Sequence, residues 1–237
     1  MTTELSALAH QLVQDLDLKA SPIQISYLDA PPTGVAKHPG GAPSVCTFFA
    51  EGQDRAFYAD IPQHEACEIG AFVHGIPPEG ELGTRLMGTI GGMQSEGYLH
   101  PGEEAKVPHN AAAPKYVAYG PLGSLPVPPT TVLIFAPARS AMMALEAAPA
   151  GPVPMNGRPM CAIVPTLNQG AKVALSPGCI GSRIYTGMGD DRVVVGIRGD
   201  HLTAYAAQVR KIRHANEVVR AEDERRKREA KHPYTPR

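Results

Sequence analysis

The chain has 237 residues, 43% of them hydrophobic and 19% charged, with a formal net charge of −1. This composition is that of a globular protein, and it excludes a disordered chain and a strongly basic field for nucleic acid. No apolar run reaches the ~18 residues of a membrane span, and the N-terminus lacks the pattern of a secretion signal. We therefore predict a cytoplasmic protein with no membrane partner.

The first half of the chain predicts short helices and strands. Apolar residues at helical spacing indicate the helices, and apolar residues that alternate with polar ones indicate the strands. Helices are expected at residues 3–18, 46–51 and 67–73. Strands are expected at residues 23–28, 55–60 and 116–119. The Gly- and Pro-rich residues 75–114 hold at most a short helix, around residues 82–87.

The second half begins with the apolar run TVLIFA at residues 131–136, which predicts a central strand buried on both faces. Ser140 is expected to cap a helix that ends near Ala147. Further strands are expected at residues 171–175 and 192–197, and a tight turn at residues 178–183. Asp200 is expected to cap a last helix. Its continuation, residues 214–237, is a charged tail, helical at first and disordered over residues 232–237.

The four cysteines form two widely spaced pairs, Cys46 with Cys67 and Cys161 with Cys179. A reducing compartment disfavours disulfides, and no Cys-x-x-Cys motif is present. In each pair a cysteine-led segment precedes a strand, a proline follows the strand, and the second cysteine stands just before Ile and Gly. This match predicts a duplicated unit, with residues 56–60 set against residues 171–175.

The duplication predicts the architecture. We expect one α/β (α+β) domain, residues 1–213, made of two pseudo-repeated halves, residues 20–115 and 116–213. Short mixed sheets and a projecting C-terminal helix complete it. A two-fold arrangement would bring the four thiols to one place between the halves.

Several segments resemble the domain of unknown function 169 family. The resemblance rests on FYAD with the following His64, Cys67 and Gly70, on Cys46, on TVLIFA, on Cys161, and on GCIGSR before VVVGI. It covers roughly residues 5–212. The family's usual Cys-Pro-Gly is replaced here by Cys67-Glu68-Ile69-Gly70. Because the family is uncharacterised, the resemblance implies the fold and the importance of the cysteines, and it implies no reaction.

The cysteines lead to a functional hypothesis. Four thiolates suit an iron–sulfur cluster or zinc. Structural zinc sites use closely spaced pairs, so we predict an iron–sulfur cluster first and zinc second. The predicted ligands are Cys46, Cys67, Cys161 and Cys179. Four bound cysteines would serve redox chemistry or structure, whereas three would leave an iron free for lyase-type chemistry on a small anion.

Two further residues are candidates beside this site. His64, three residues before Cys67, would lie on the same helix face and could ligate a metal or lower the thiol pKa. Arg183 could clamp an anion. His74, His100 and His109 have no partner visible in the sequence.

Two other classes of protein stay open. One is a cofactor-free small-ligand-binding module whose cysteines are buried packing residues. The other is a thiol enzyme with Cys67 or Cys179 as the nucleophile. The expected partners are a small-molecule ligand or a redox partner. Nucleic acid is disfavoured, and the oligomeric state is left open.

Overall fold

A computed structural model describes residues 2–156 and 158–229 of the chain. Its centre is one six-stranded sheet with the strand order β2-β3-β1-β4-β6-β5, in which all neighbouring strands are antiparallel. The strands are β1 (Ile23–Leu28), β2 (Phe57–Asp60), β3 (Tyr116–Pro121), β4 (Thr131–Pro137), β5 (Val173–Ser176) and β6 (Arg192–Arg198). The mixed short sheets that we expected are therefore replaced by a single antiparallel sheet, since hydrophobic pattern locates strands but does not encode their partners.

Helices cover both faces of the sheet. Those in the described part of the chain are α1 (Thr2–Leu16), α2 (Val45–Glu51), α3 (Ile61–His64), α4 (Glu68–Val73), α5 (Gly80–Ser95), α6 (Ala138–Glu146), α7 (Ile163–Asn168), α8 (Ile180–Thr186) and α9 (Leu202–Glu229). None of these helices is long and apolar enough to cross a membrane. The α/β fold in one domain, with a long C-terminal helix, is confirmed.

The strand order has two-fold symmetry about the β1–β4 pair. At the centre, Ile23 pairs with Leu133 and Ile25 pairs with Thr131, so exchanging the halves maps this pairing onto itself. β3 and β2 then follow β1 on one side as β6 and β5 follow β4 on the other. The symmetric units of the sheet are thus β1 to β3 and β4 to β6. β3 therefore belongs to the first half, whereas the expected boundary after residue 115 would place it in the second.

The register sets the correspondence between the halves. Ile25 pairs with Tyr119 and Tyr119 with Phe57, whereas Leu133 pairs with Gly196 and Gly196 with Ala174. Two isolated parallel bridges repeat the same relation, Lys37 with Tyr58 and Met155 with Leu175. Phe57 therefore corresponds to Ala174, and not to Lys172 as the sequence match implied. The sequence match aligned the proline and the cysteine that follow each strand. Because the segment between the strand and these residues is shorter in the second half, this alignment displaced the strands by two residues.

Two hydrophobic cores lie on opposite faces of the sheet. Side chains of α1, α6 and α9 form one core with Val132 and Ile134 of β4. Side chains of α2, α4 and α7 form the other core, together with Leu133 from the opposite face of the same strand. The TVLIFA strand is buried on both faces, as its apolar run predicts.

Some helix boundaries differ from expectation. Ser140 lies inside α6 and is buried, and the helix begins after Pro137. The turn expected at residues 178–183 is the start of α8, with Cys179 as its N-cap. α5 extends over 16 residues despite five glycines within it, because Leu82 and Leu86 anchor one face. Packing outweighs weak helix propensity there.

The last turns of α9 lie outside the body of the fold. Asn216 still donates a hydrogen bond to Glu146, but Val219 is 68% exposed. The ion pairs beyond Val219, such as Lys227 with Asp223 and Arg225 with Glu229, lie within the helix itself. The predicted mixed-charge helical face is confirmed, and residues 232–237 lie outside the described part of the chain.

Deletion of residues 220–237 should therefore change the free energy of unfolding by less than about 0.5 kcal/mol, since exposed intrahelical ion pairs contribute little. Urea unfolding of the full and the shortened chain measures this. A larger loss of stability, or loss of soluble protein, would show that the segment packs against another surface.

Candidate functional site

The four cysteines stand at the starts of helices in one hydrophobic core. Cys46 lies in the first turn of α2, and Cys161 lies in the 3-10 turn Met160–Ala162 that leads into α7. Both are buried there, and Cys67 and Cys179 pack against the same core from its edge. All four are free thiols.

The two partly buried cysteines have the same local geometry. Cys67 is the N-cap of α4, and its Sγ accepts a hydrogen bond of 3.3 Å from the backbone N–H of Gly70. Cys179 is the N-cap of α8, and its Sγ accepts one of 3.4 Å from Ser182. At both positions a backbone N–H of the first helical turn is therefore directed at a cysteine sulfur.

The buried thiols of Cys46 and Cys161 shift each other's pKa in opposite directions. Hydrogen bonding from Cys161 lowers the pKa of Cys46, and a hydrogen bond from Ser44 supports the shift against the opposing effect of burial. The same contact with Cys46, together with burial, raises the pKa of Cys161 well above its usual value. Of the two buried thiols, Cys46 is thus the one that ionises first.

The sulfurs are neighbours without being a ready metal site. The thiols of Cys46, Cys67 and Cys179 each contribute to the raised pKa of Cys161. Among residues 2–156 and 158–229, however, no three His, Cys, Asp or Glu side chains lie close enough together to hold a metal ion. In type and number the donors suit a soft metal, but in these side-chain positions they do not converge on one point.

His64 lies elsewhere than its spacing from Cys67 suggests. It ends α3, while Cys67 begins α4, so the two residues do not share one helix. The Nδ1 of His64 donates to the carbonyl of Asp60 at 2.7 Å, and its Nε2 accepts from the Tyr119 hydroxyl at 2.8 Å. Both ring nitrogens are therefore occupied.

Activation of Cys67 by an imidazolium, one of the two roles considered for His64, gains no support from the fold. Burial lowers the pKa of His64 to about 4, so its ring is neutral near neutral pH. Burial also raises the pKa of the Cys67 thiol. A cysteine that is activated as a nucleophile needs the opposite shift.

Arg183 binds backbone rather than an open pocket. Its guanidinium donates to the carbonyls of Gly189, Pro177 and Arg192, and so ties the start of α8 to the loop before β6. These contacts give the side chain a structural role in the described molecule.

A buried polar network that no sequence pattern indicates lies near the cysteines. The Tyr27 hydroxyl lies 2.6 Å from the Nδ1 of His74, and Asn110 donates to the same hydroxyl at 3.0 Å. Burial raises the pKa of Tyr27, and the nearby Cys161 thiol adds to that rise. No sequence signal joined these residues, because 83 positions separate Tyr27 from Asn110.

The fold and this region define a class of protein: an α/β domain with two-fold internal symmetry and paired cysteines at equivalent helix starts. The family model of domain of unknown function 169 (DUF169), described as Uncharacterised ArCR, matches residues 11–208. The chain therefore belongs to the DUF169 family. No curated protein and no solved structure shows a significant match to it.

Proposed function

We propose that Cys46, Cys67, Cys161 and Cys179 together bind an iron–sulfur cluster, in a cytoplasmic protein that carries out redox or small-anion lyase-type chemistry. The observation that carries this proposal is the symmetric placement of the thiols. Each half contributes one cysteine in the first turns of a buried helical segment and one at a helix N-cap, all in one core. Packing alone has no need to repeat both positions.

The helix starts favour an anionic centre. A cluster held by thiolates carries negative charge, and backbone N–H groups near its sulfurs stabilise it. Gly70 and Ser182 already direct their N–H groups toward the sulfurs of Cys67 and Cys179. Such a site can bind the cofactor without any basic side chain.

Binding requires movement of the two N-cap thiols. Cys67 and Cys179 are partly exposed and lie at the edge of the core, and we expect rotation about their Cα–Cβ bonds to bring their sulfurs toward Cys46 and Cys161. The cost is the loss of two weak N–H···S contacts, which is small beside the free energy of metal–thiolate bonding. When bound, a four-cysteine cluster supplies electron transfer, and a three-cysteine cluster leaves one iron open to a small anion.

The test is anaerobic reconstitution with ferrous iron and sulfide, followed by iron, sulfide and zinc analysis and a visible absorption spectrum. Wild-type protein should be brown. Replacing any one of the four cysteines by serine should lower bound iron and bleach the spectrum, because serine is a poor ligand for iron in such clusters. Met87→Ser, which removes an exposed sulfur from α5, is the control and should leave the iron content unchanged.

Stability must be measured on the same variants, because a serine hydroxyl buried at Cys46 or Cys161 costs about 1–3 kcal/mol without any metal. A colourless wild type with four colourless, folded variants would overturn the proposal and restore the packing interpretation. Protein that contains one equivalent of zinc and no iron would show that the four cysteines bind zinc, the second predicted metal, and not an iron–sulfur cluster.

A further inference from the structure

A chain of hydrogen bonds runs from the surface to a fully buried histidine. The exposed Asn168 donates its Nδ2 to the Oδ1 of Asn110 at 3.0 Å, and Asn110 donates its own Nδ2 to the Tyr27 hydroxyl at 3.0 Å. The Tyr27 hydroxyl then lies 2.6 Å from the Nδ1 of His74. The last polar atom of this chain is the other ring nitrogen of His74, Nε2.

The direction of every donor in this chain follows from its partners. The Asn110 Nδ2 also faces the His74 carbonyl at 3.4 Å, and a carbonyl can only accept, so the orientation of the amide is set. Tyr27 must therefore accept from Asn110, which leaves its own proton for the Nδ1 of His74. The reverse arrangement would leave both the tyrosine proton and the His74 Nε2 without a partner.

His74 consequently carries its proton on Nε2. Burial lowers the pKa of His74 well below its usual value, and the neighbouring His64 acts in the same direction, so the ring is neutral. Nε2 is buried and has no hydrogen-bond partner among the described residues. The chain of donors thus ends on a buried N–H that lacks an acceptor, which is a costly arrangement unless a ligand completes it.

We infer that the Nε2–H of His74 donates a hydrogen bond to a small anionic acceptor bound beside Cys161. Three features specify the acceptor. It must be an acceptor because the group facing it is a donor, and small because the surroundings are packed. An anion is the acceptor that this donor favours most, because the aligned donors of Asn110 and Tyr27 polarise the His74 N–H toward negative charge. The Tyr27 hydroxyl, which contacts the other ring nitrogen of His74, lies near enough to the Cys161 thiol for the two groups to influence each other, so this chain of donors passes close to the cysteines.

The anion that accepts this hydrogen bond can have either of two origins. The anion is either a sulfide or thiolate of the cluster, in which case the inference rests on the proposed function, or a free anion, in which case it does not. Two measurements distinguish these sources. The probe for a free anion is hydrosulfide, which has one heavy atom.

The first measurement uses the protein without metal, labelled with ¹⁵N-histidine. NMR should show His74 as the Nε2–H tautomer, and hydrosulfide should shift that proton signal downfield. Tyr27→Phe frees Nδ1 to take the proton and should weaken hydrosulfide binding about tenfold, the effect of one lost hydrogen bond. His109→Gln, at an exposed position, is the control and should leave the binding unchanged.

The second measurement uses the reconstituted protein. A hydrogen bond to a cluster sulfur raises its reduction potential, so Tyr27→Phe and His74→Gln should make the potential more negative at equal iron content. A shift in either measurement supports the inference and identifies the source. If the wild-type protein binds no iron, the proposed function fails, and the hydrosulfide measurement still tests the inference about His74.

Two results would overturn the inference. One is a His74 proton on Nδ1 in the wild-type protein, which needs no variant to fold. The other is a His74 signal that hydrosulfide leaves unchanged, combined with a negative result for the cluster. That negative result is either an unchanged reduction potential in the iron-loaded variants or a wild-type protein that binds no iron.

Discussion

Acidification from about pH 7 to about pH 5 should lower the free energy of unfolding by about 2 kcal/mol through His64 alone, rising to about 3 kcal/mol near pH 4. Burial lowers the pKa of His64 from 6.5 to about 4 in the folded protein. The unfolded chain therefore takes up this proton first. The stability that the neutral ring provides is complete above pH 6.5 and is lost as the pH falls toward 4. The lowered pKa of His74 adds to the loss with the same sign.

Urea unfolding at several pH values measures this dependence. His64→Gln removes one titrating group and should reduce the loss of stability between about pH 7 and pH 5 by about 2 kcal/mol, even where the variant is less stable throughout. His10→Gln, on the exposed face of α1, should leave the slope as it is in wild type. NMR of the His64 ring in the folded protein gives an independent check. Protonation of that ring near pH 6.5 would contradict the prediction.

Gly70→Ala should lower the free energy of unfolding by about 1 kcal/mol. A Cβ at this position would lie 2.4 Å from the Cγ2 of Val45 and 3.0 Å from the Sγ of Cys67. Val45 is buried at the start of α2, so α2 and α4 would have to separate. Overpacking of this kind costs about 1–3 kcal/mol, which exceeds the gain of about 0.5–1 kcal/mol from alanine within a helix.

Gly181→Ala is the matched control in the other half. It lies in α8, two residues after Cys179, and its nearest neighbours would be 3.9 Å away, at the Cys179 Sγ and the Tyr185 ring. This variant should be as stable as wild type or more stable by about 0.5–1 kcal/mol. Chemical denaturation of both variants tests the pair. Equal stability of the two would show that α2 and α4 are not closely packed at Gly70.

The elements with regular hydrophobic periodicity could be predicted from the sequence. β1 was expected at residues 23–28 and is found there, and the end of α2 at Gly52 is confirmed. The doubly buried TVLIFA strand and the helix led by Cys67 also follow from local pattern and capping. These predictions succeed because periodicity and caps act over a few residues. Ser140 is not the cap because α6 already begins directly after Pro137, which places Ser140 in the first turn of the helix, where it is buried.

The candidate site depends on contacts that no local pattern encodes. The duplication could be recognised from the spacing of two cysteine pairs, but its register could not, since a change of two residues in one connection leaves the motif intact. The spacing of His64 and Cys67 suggested a shared helix face, whereas α3 ends and α4 begins between them. Spacing predicts a common face only where one helix is unbroken.

The sequence therefore specifies which segments are helices and strands, that there are two related halves, and which residue types could carry chemistry. Tertiary structure decides the rest. It turns His64 toward Tyr119, binds Arg183 to backbone carbonyls, and joins Tyr27, His74 and Asn110 across three separate segments. The physical reason is burial: hydrogen-bond partners and pKa values depend on which groups are removed from water together, and only the folded chain determines that.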